Sequence, residues 1–136
     1  MNASLRRKLE GIERTLSKVT ARSQAGIPVV VEGQRDKEAL RRLRVHGRIV
    51  CLKSTAEGFH DFAASLSRSR EVTVLTDFDK EGARLAAKLV DELTHMRVKA
   101  DLAIWKQLKA LCRPEIKAVE ELADYVEKLR EEAAAD

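Results

Sequence analysis

The feature that most constrains the fold is an unbroken run of apolar residues at 27–31, IPVVV. Three consecutive valines with no polar residue between them predict a short strand that is buried on both of its faces. Pro28 is compatible with such a strand only near its beginning. A strand that is covered on both sides needs helices above and below it, so this run favours a layered α/β fold.

Strand-like and helix-like segments alternate after this run. The pattern predicts a helix near 36–45, a strand at 48–53, a helix at 58–66, a strand at 71–76, a helix at 82–96 and a strand at 98–103. Parallel strands need crossover connections of about this length, and such crossovers are right-handed. We therefore predict a Rossmann-like α/β fold, a four-stranded parallel sheet flanked by helices.

Additional helices are predicted on both sides of this core, which spans about 27–103. Apolar residues recur at steps of three and four in a helix over 3–22. The segment 104–132 is also predicted to be helical, with a second helix starting at Pro114, because proline is favoured in a first turn. The apolar stripes of these terminal helices either complete the cover of the sheet or pair with a protein partner or a second copy of the chain.

Length and composition agree with one domain over residues 1–136, since no linker or internal repeat divides the chain. No apolar run is long enough to span a bilayer, and the charged start differs from a signal peptide, so we expect a cytoplasmic protein without a membrane partner. Cys51 and Cys112 share no metal-binding spacing, and neither zinc nor a disulfide is indicated. Residues 115–136 carry eight acidic and three basic side chains, so a polyanion is expected to avoid the last helix.

Acidic residues directly follow two of the predicted strands. Glu32 follows the first, in VVVEGQRD, and Asp77 and Asp79 follow the third, in VTVLTDFDKEG. Open parallel sheets bind ligands at the carboxyl ends of their strands, so these acids converge if the two strands are neighbours. Carboxylates without nearby cysteine or histidine favour a hard ion such as Mg²⁺ or Mn²⁺. The sequence therefore predicts a divalent-metal site at this edge.

Helix capping is a different account of two of the acids. Asp36 and Asp79 lie near the starts of predicted helices, where an aspartate accepts backbone N–H groups or meets the positive end of the helix dipole. Glu32 and Asp77 gain nothing from capping, because each comes directly after an apolar strand. The role of Asp36 stays open at this stage.

The segments VVVEGQRDKEAL and VLTDFDKEG resemble the two motifs of the Toprim domain, an acid with glycine after the first strand and a DxD after the third. This family occurs in type IA and type II topoisomerases, bacterial-type primases, OLD-type nucleases, RecR recombination proteins and the nuclease that matures 5S ribosomal RNA. The VEGQRD segment is more similar to that nuclease and to small stand-alone Toprim proteins. The resemblance covers about residues 27–103.

The resemblance implies a role for each residue of the motifs. Glu32, Asp77 and Asp79 are the expected catalytic and metal-binding residues, with Glu32 as a general acid/base or metal-associated acid and the aspartates as Mg²⁺ ligands. Gly33 is expected to let the backbone approach a phosphate. These roles imply a Mg²⁺-dependent nuclease that acts on RNA or DNA, alone or in a complex. Strand passage is not expected, because Tyr125, the one tyrosine in the sequence, lies in the acidic last helix.

Basic residues near the same edge are candidates for contacts with phosphate. Four of them follow steps of four, three and four along a predicted helical stripe, and three more flank the edge: Lys37, Arg41, Arg44 and Arg48, then Arg35, Lys53 and Lys80. Such cations neutralise nucleic-acid phosphates without reading the base sequence. A solvated helix face has the same pattern. Phe78, between the two aspartates, is either exposed for base stacking or buried.

Two other functions agree with part of the pattern. A non-catalytic subunit that binds nucleic acid or a protein complex can keep the same pocket for phosphate binding or structure. A phosphohydrolase of the haloacid dehalogenase type also has a DxD motif, but there it follows the first strand and a threonine comes after it, where Glu81 stands here. Dinucleotide and P-loop nucleotide sites are disfavoured, because the sequence has neither GxGxxG nor GK followed by serine or threonine.

Overall fold

The structure, a computed structural model, describes residues 3–54 and 58–135. The strands are β1 (Val29–Val31), β2 (Ile49–Cys51), β3 (Glu71–Val74) and β4 (Lys99–Asp101). The α-helices are α1 (Ala3–Gln24), α2 (Gln34–Arg42), α3 (Phe59–Ala64), α4 (Lys80–His95), α5 (Ala103–Cys112) and α6 (Leu122–Ala134). Short 3₁₀ turns cover Leu52–Ser54 and Val119–Glu121.

The described strands form one four-stranded parallel sheet in the order β2-β1-β3-β4. In the centre of the sheet Val29 is in register with Thr73, and Val30 with Val74. Strands β1 and β3 are adjacent in the centre of the sheet. Strand β2 lies on the outer side of β1 and β4 on the outer side of β3, so the strand order reverses direction between β1 and β3. Open α/β sheets bind their ligands at such a switch point, outside the carboxyl ends of the strands. The predicted α/β fold is confirmed, and the switch point lies between the two strands that end in acid.

Strand β1 has no polar position because both of its faces are covered. Val29 and Val31 belong to a hydrophobic cluster with residues of α1, α2, α5 and α6, whereas Val30 belongs to a second cluster with residues of α3 and α4. All three valines are fully buried. Burial of a side chain of this size stabilises a fold by roughly 1.5 kcal/mol or more, so the core holds the strand ends firmly in place.

The apolar stripe of α1 is buried within this chain. Leu9, Ile12, Leu16 and Val19 are each 7% exposed or less and lie in the cluster that α5 and α6 also supply. The helix runs two residues beyond the predicted end at 22. The stripe therefore completes the cover of one sheet face, and pairing with a protein partner or a second copy through the terminal helices stays a prediction. None of the helices in the described ranges combines the length and apolar character that a membrane crossing needs.

The predicted helix start at Pro114 is wrong. Helix α5 ends at Cys112, the Arg113–Pro114 peptide bond is cis, and helical turns resume only at Val119. The residues in between run to the edge of the sheet, where the carbonyl oxygen of Lys117 accepts the backbone N–H of Phe78 at 2.7 Å. This tertiary contact outweighs the local preference of proline for a first helical turn.

Candidate acidic site at the carboxyl edge of β1 and β3

The acids that follow β1 and β3 meet across the sheet. The Oε2 atom of Glu32 accepts the backbone N–H of Asp77 at 2.7 Å, so the two strand ends lie side by side. The other oxygen, Oε1, lies 3.3 Å from the ammonium of Lys53, just after β2. Glu32 is only 3% exposed. Its side chain therefore joins the ends of three adjacent strands.

Lys53 is both a partner of the buried acid and a group that solvent can reach. Its hydrogen bond to Glu32 and the charge of that carboxylate raise the pKa of Lys53, and the charges of Asp77 and Asp36 add to the rise. The Lys53 side chain is 66% exposed. The ammonium therefore stays charged and lies where a phosphate can approach it. The sequence indicated only that Lys53 flanks this edge, because its ion pair joins two different loops.

Asp77 is half-buried and electrostatically strained. Burial raises its pKa to about 7, a hydrogen bond from Val119 opposes this rise, and the charges of Asp36, Glu32 and Asp79 add to it. The hydrogen bond runs from the Val119 N–H to the Oδ1 atom of Asp77 at 2.9 Å. Carboxyl groups perturbed by burial together with neighbouring charges are concentrated at functional sites.

Asp79 caps helix α4, as one of the two accounts from the sequence proposed. Its Oδ1 atom accepts the Gly82 N–H at 2.7 Å, and its backbone is extended, as expected for an N-cap residue. Its Oδ2 atom and that of Asp77 accept no hydrogen bond from the residues that the structure describes. Metal binding by Asp79 stays a prediction, and one oxygen of each aspartate remains available for it.

Close packing fixes the loop after β3. A Cβ atom on Gly82 would lie 1.9 Å from the carbonyl oxygen of Asp77, so only glycine fits there. The hydroxyl of Thr76 donates to the Gly82 carbonyl at 2.7 Å, and the indole N–H of Trp105 donates to the Thr76 carbonyl at 2.9 Å. Phe78 is 1% exposed, and its ring centroid lies 6.5 Å from that of Trp105. Phe78 is thus a core residue that anchors the loop rather than a surface for base stacking.

Asp36 closes the turn after β1. Its Oδ2 atom accepts the Gly33 N–H at 3.0 Å at the start of α2, so the capping account is observed. Burial raises the pKa of Asp36, backbone hydrogen bonds from Gly33 and Glu120 oppose this, and the charges of Glu32 and Glu120 add to the rise. An added Cβ on Gly33 would make only ordinary contact. Approach of a phosphate to Gly33 therefore stays a prediction that packing does not test.

Glu32, Asp36 and Asp77 line a cavity of about 340 Å³, whereas Asp79 is not among the residues that line it. The cavity is lined by residues of all three loops and by one residue from the far end of the chain: Glu32, Gly33, Gln34, Arg35, Asp36, Lys53, Asp77 and Glu120. A larger cavity of about 770 Å³ between α2 and α6 shares Arg35 and Glu120 with it but contains none of the acids that follow the strands. We place the candidate site in the smaller cavity for that reason. The sequence did not indicate Glu120, because only the fold brings it to this edge.

The predicted stripe of cations is interrupted. Helix α2 ends at Arg42, and Arg44 adopts a left-handed backbone with φ of 69°, so the stripe does not continue along one helix. The guanidinium of Arg41 donates to the carbonyl oxygens of Val45 and Gly47 at 2.9 and 2.7 Å, which stabilises the end of α2. Four other candidates for phosphate contacts form no ion pair with a described residue: Arg35, Lys37, Arg48 and Lys80.

The donor set fits a hard divalent ion that has few protein ligands. Burial and the neighbouring acids raise the pKa of Asp77, and a bound cation relieves this kind of strain. Within residues 3–54 and 58–135, no three Asp, Glu, His or Cys side chains are arranged to hold an ion together. Mg²⁺ commonly takes one or two protein carboxylates and completes its octahedron with water and phosphate. Binding of Mg²⁺ by Asp77 and Asp79 at this edge therefore stays a prediction.

A parallel sheet with acidic loops at its switch point, one carrying a DxD, defines an α/β domain of the Toprim type. A family model of the Toprim domain matches residues 28–119, and the chain belongs to this family. The resemblance of the two motifs is thereby confirmed, and the match extends beyond the 27–103 that the motifs suggested. Membership implies, in general terms, a metal-dependent function related to nucleic acid.

Proteins similar to this chain include several UPF0292 proteins. The chain is 37% identical to the UPF0292 protein of Methanosarcina barkeri over 126 residues, which is 92% of this chain and 87% of the relative. It is 42% identical to the UPF0292 protein of Thermococcus kodakarensis over 94 residues, 69% of each chain. A solved structure of a protein from Aquifex aeolicus has a TM-score of 0.68 at 23% identity, covering 79% of this chain and 94% of that one. That last similarity shows the fold alone.

Proposed function

We propose that this chain is a Mg²⁺-dependent nuclease of the Toprim type, which cleaves phosphodiester bonds of RNA or DNA alone or in a complex. The observation that carries the proposal is the hydrogen bond from the Asp77 N–H to Glu32, because it brings the acids of two separate loops to one cavity. The family supports metal-dependent work on nucleic acid in general. The proposal adds cleavage as the reaction and Mg²⁺, or Mn²⁺ in its place, as the cofactor.

Some of the acids are proposed to bind the ion, and another is proposed to fix the loop after β3. Asp77 and Asp79 would hold the ion through their remaining oxygens, since one oxygen of each is already fixed by a backbone N–H. A bound Mg²⁺ supplies charge that stabilises the phosphate and activates water. Glu32 is better suited to support the Asp77 loop than to transfer a proton, because both of its oxygens are engaged and it is 3% exposed.

Exposed cations at the mouth of the cavity are proposed to bind the phosphate backbone. Lys53 and Arg35 line the cavity, and Lys80 is exposed at the start of the helix that Asp79 caps. Contacts of this kind depend on salt but not on base sequence. On the other side, Glu120 and the acidic first turn of α6 repel a polyanion. The nucleic acid is therefore expected to approach from the side of α2 and Lys53.

Cleavage of labelled substrates tests the proposal. The protein is incubated with structured and single-stranded RNA and DNA in Mg²⁺, in Mn²⁺ or in EDTA, and with cell extract to supply partners. We expect cleavage only with metal, and a loss of about a hundredfold or more in Asp77→Asn, since an essential ligand is removed. Asp91→Asn is the matched control, because it removes the same charge from a 76% exposed position on α4. Absence of metal-dependent cleavage from the whole panel contradicts the proposal.

One observation favours a second candidate, a subunit that binds nucleic acid without cleaving it. No three potential ligands within the described ranges come together as one metal-binding group, and Asp79 already has a structural role as a cap. This candidate predicts that the wild-type chain binds but never cleaves, and that Asp77→Asn leaves its affinity for nucleic acid and for partners unchanged. A gel-shift titration beside the cleavage assay separates the two functions.

A further inference from the structure

The connection between α5 and α6, residues 113–121, reaches the acidic loop of β3 through two backbone contacts. We call it the crossing segment. Its Lys117 carbonyl accepts the Phe78 N–H at 2.7 Å, and its Val119 N–H donates to the Oδ1 atom of Asp77 at 2.9 Å. The two contacts engage adjacent residues of one loop. The crossing segment therefore fixes both the backbone of this loop and the carboxylate that it carries.

We propose that the crossing segment positions Asp77 for metal binding and that the Val119 N–H is the positioning group. This inference rests on the proposed function of the site. A hydrogen bond to one oxygen of a carboxylate sets the direction in which the other oxygen points. Groups that orient a metal ligand in this way typically change metal affinity by about 10- to 100-fold when they are removed.

The crossing segment is itself held firmly enough to act as a fixed donor. Val119 is fully buried in the cluster that includes α5 and α6. The Glu121 carboxylate accepts the N–H groups of Ala118 at 3.1 Å and Lys117 at 3.2 Å, which fixes the turn just before Val119. Glu120 lines the cavity beside Asp77. The N–H donor is therefore rigid and lies at the wall of the candidate site.

The backbone at this point allows the donor to be removed almost alone. Ala118 is extended, with φ of −126° and ψ of 146°, the conformation that a residue before proline prefers. Val119 is the first residue of the following helical turn, a position that accepts proline. Val119→Pro therefore deletes the N–H with little change in backbone conformation. Val119→Ala is its control, because it keeps the N–H and loses side-chain packing.

The experiment is a calorimetric titration of the full chain with Mn²⁺. If the wild type does not bind Mn²⁺, the proposed function and the inference that rests on it both fail. If it binds, we expect the Kd of Val119→Pro to exceed that of Val119→Ala tenfold or more. Equal Kd values for these two folded variants overturn the inference and leave the proposed function standing. Circular dichroism checks that both variants are folded.

A second pair of variants decides the matter if Val119→Pro does not fold. Glu121→Ala releases the turn before Val119 and touches neither the N–H donor nor the core, because Glu121 is exposed. Glu131→Ala removes the same charge from an exposed position further along α6. We expect a Kd for Mn²⁺ about threefold higher in Glu121→Ala than in Glu131→Ala, which is less than the 10- to 100-fold effect of removing an orienting group, because the Val119 N–H is still present. Equal affinities in this pair overturn the inference.

Discussion

Glu32 and Asp77 follow neighbouring strands, yet the protein holds them in opposite ways. Glu32 is 3% exposed, and its two oxygens are engaged by the Asp77 N–H and the Lys53 ammonium. Asp77 is half-buried, one oxygen is held by the Val119 N–H, and burial raises its pKa to about 7. Glu32 links the ends of three strands through its two oxygens. Asp77 has a raised pKa, so a nearby cation would stabilise its charged form. Two acids in equivalent positions of two motifs thus have different physical tasks.

Of the variants considered, Gly82→Ala is expected to destabilise the protein most, because it displaces the loop after β3 that carries Asp77. The added Cβ would lie 1.9 Å from the Asp77 carbonyl oxygen, so the whole β3 loop must move. Forcing extra volume into a packed region costs about 3 kcal/mol in the free energy of unfolding, measured by denaturant titration. Gly58→Ala is the control, because an added Cβ there meets no atom within 4 Å, and its cost is expected to stay within about 0.5 kcal/mol. Equal losses in the two variants contradict the close packing of the loop.

Metal binding tests the role of Asp77 as the ligand in the comparison with Glu32. At a Mn²⁺ concentration of 100 times Kd, the free energy of unfolding is expected to rise by about 2.7 kcal/mol, which appears as a higher Tm. Asp77→Asn is expected to abolish this rise, and Asp91→Asn, at an exposed position on α4, to keep it. Thermal unfolding with and without Mn²⁺ measures both variants. An undiminished rise in Asp77→Asn shows that any bound ion lies elsewhere.

The bracing role of Glu32 has a separate test in metal-free protein. Glu32→Ala leaves the Asp77 N–H and the Lys53 ammonium without their acceptor, and we expect a loss of about 2 kcal/mol in stability. Glu32→Gln keeps an oxygen for the N–H and should recover part of this loss. Asp77→Asn should lose little in the same denaturant titration, because an amide oxygen can still accept the Val119 N–H. Equal destabilisation by Glu32→Ala and Asp77→Asn contradicts the distinction between Glu32 as a structural support and Asp77 as a metal ligand.

The smallest expected effect is a dependence of metal-free stability on pH. Burial raises the pKa of Asp77 from 3.8 to about 7, so the folded protein binds more protons than the unfolded chain between these values. Stability is therefore expected to fall as pH rises from about 4 to 7, and the raised pKa of Asp36 acts in the same direction. We expect about 1 kcal/mol for the part due to Asp77, since solvent screens a half-buried carboxyl. Denaturant midpoints in EDTA should vary less with pH in Asp77→Asn, and equal slopes contradict the raised pKa.

Much of the fold and the acidic loops could be predicted because the signals are local. A strand covered on both faces needs an unbroken apolar run, and Val29–Val31 is such a run. A carboxylate directly after it, as at Glu32, marks the end of the strand. Asp77 follows β3 after two further buried residues, because β3 ends at Val74 rather than at the predicted residue 76. The general rule that ligands bind at the carboxyl edge of parallel strands then brought these acids together, and the register of β1 with β3 does place them side by side.

The remaining features depend on backbone groups, which leave no signature in the sequence. Every residue except proline has an N–H, so nothing marked Val119 as the partner of Asp77. The carbonyl oxygens that accept hydrogen bonds from Arg41 are likewise not marked in the sequence, and phosphate binding by Arg41 stays a prediction. At Pro114 the local preference for a helix start was correct as a tendency, but a contact formed by Lys117 with the sheet edge prevailed.

The position of the crossing segment has a consequence for how the protein is made. Asp77 and Phe78 leave the ribosome well before Lys117 and Val119, which supply their backbone partners. A nascent chain that stops short of these residues has both aspartates of the DxD but lacks the groups that fix the loop. The loop that carries Asp77 therefore gains these backbone partners only after residues 113–121 have been synthesised.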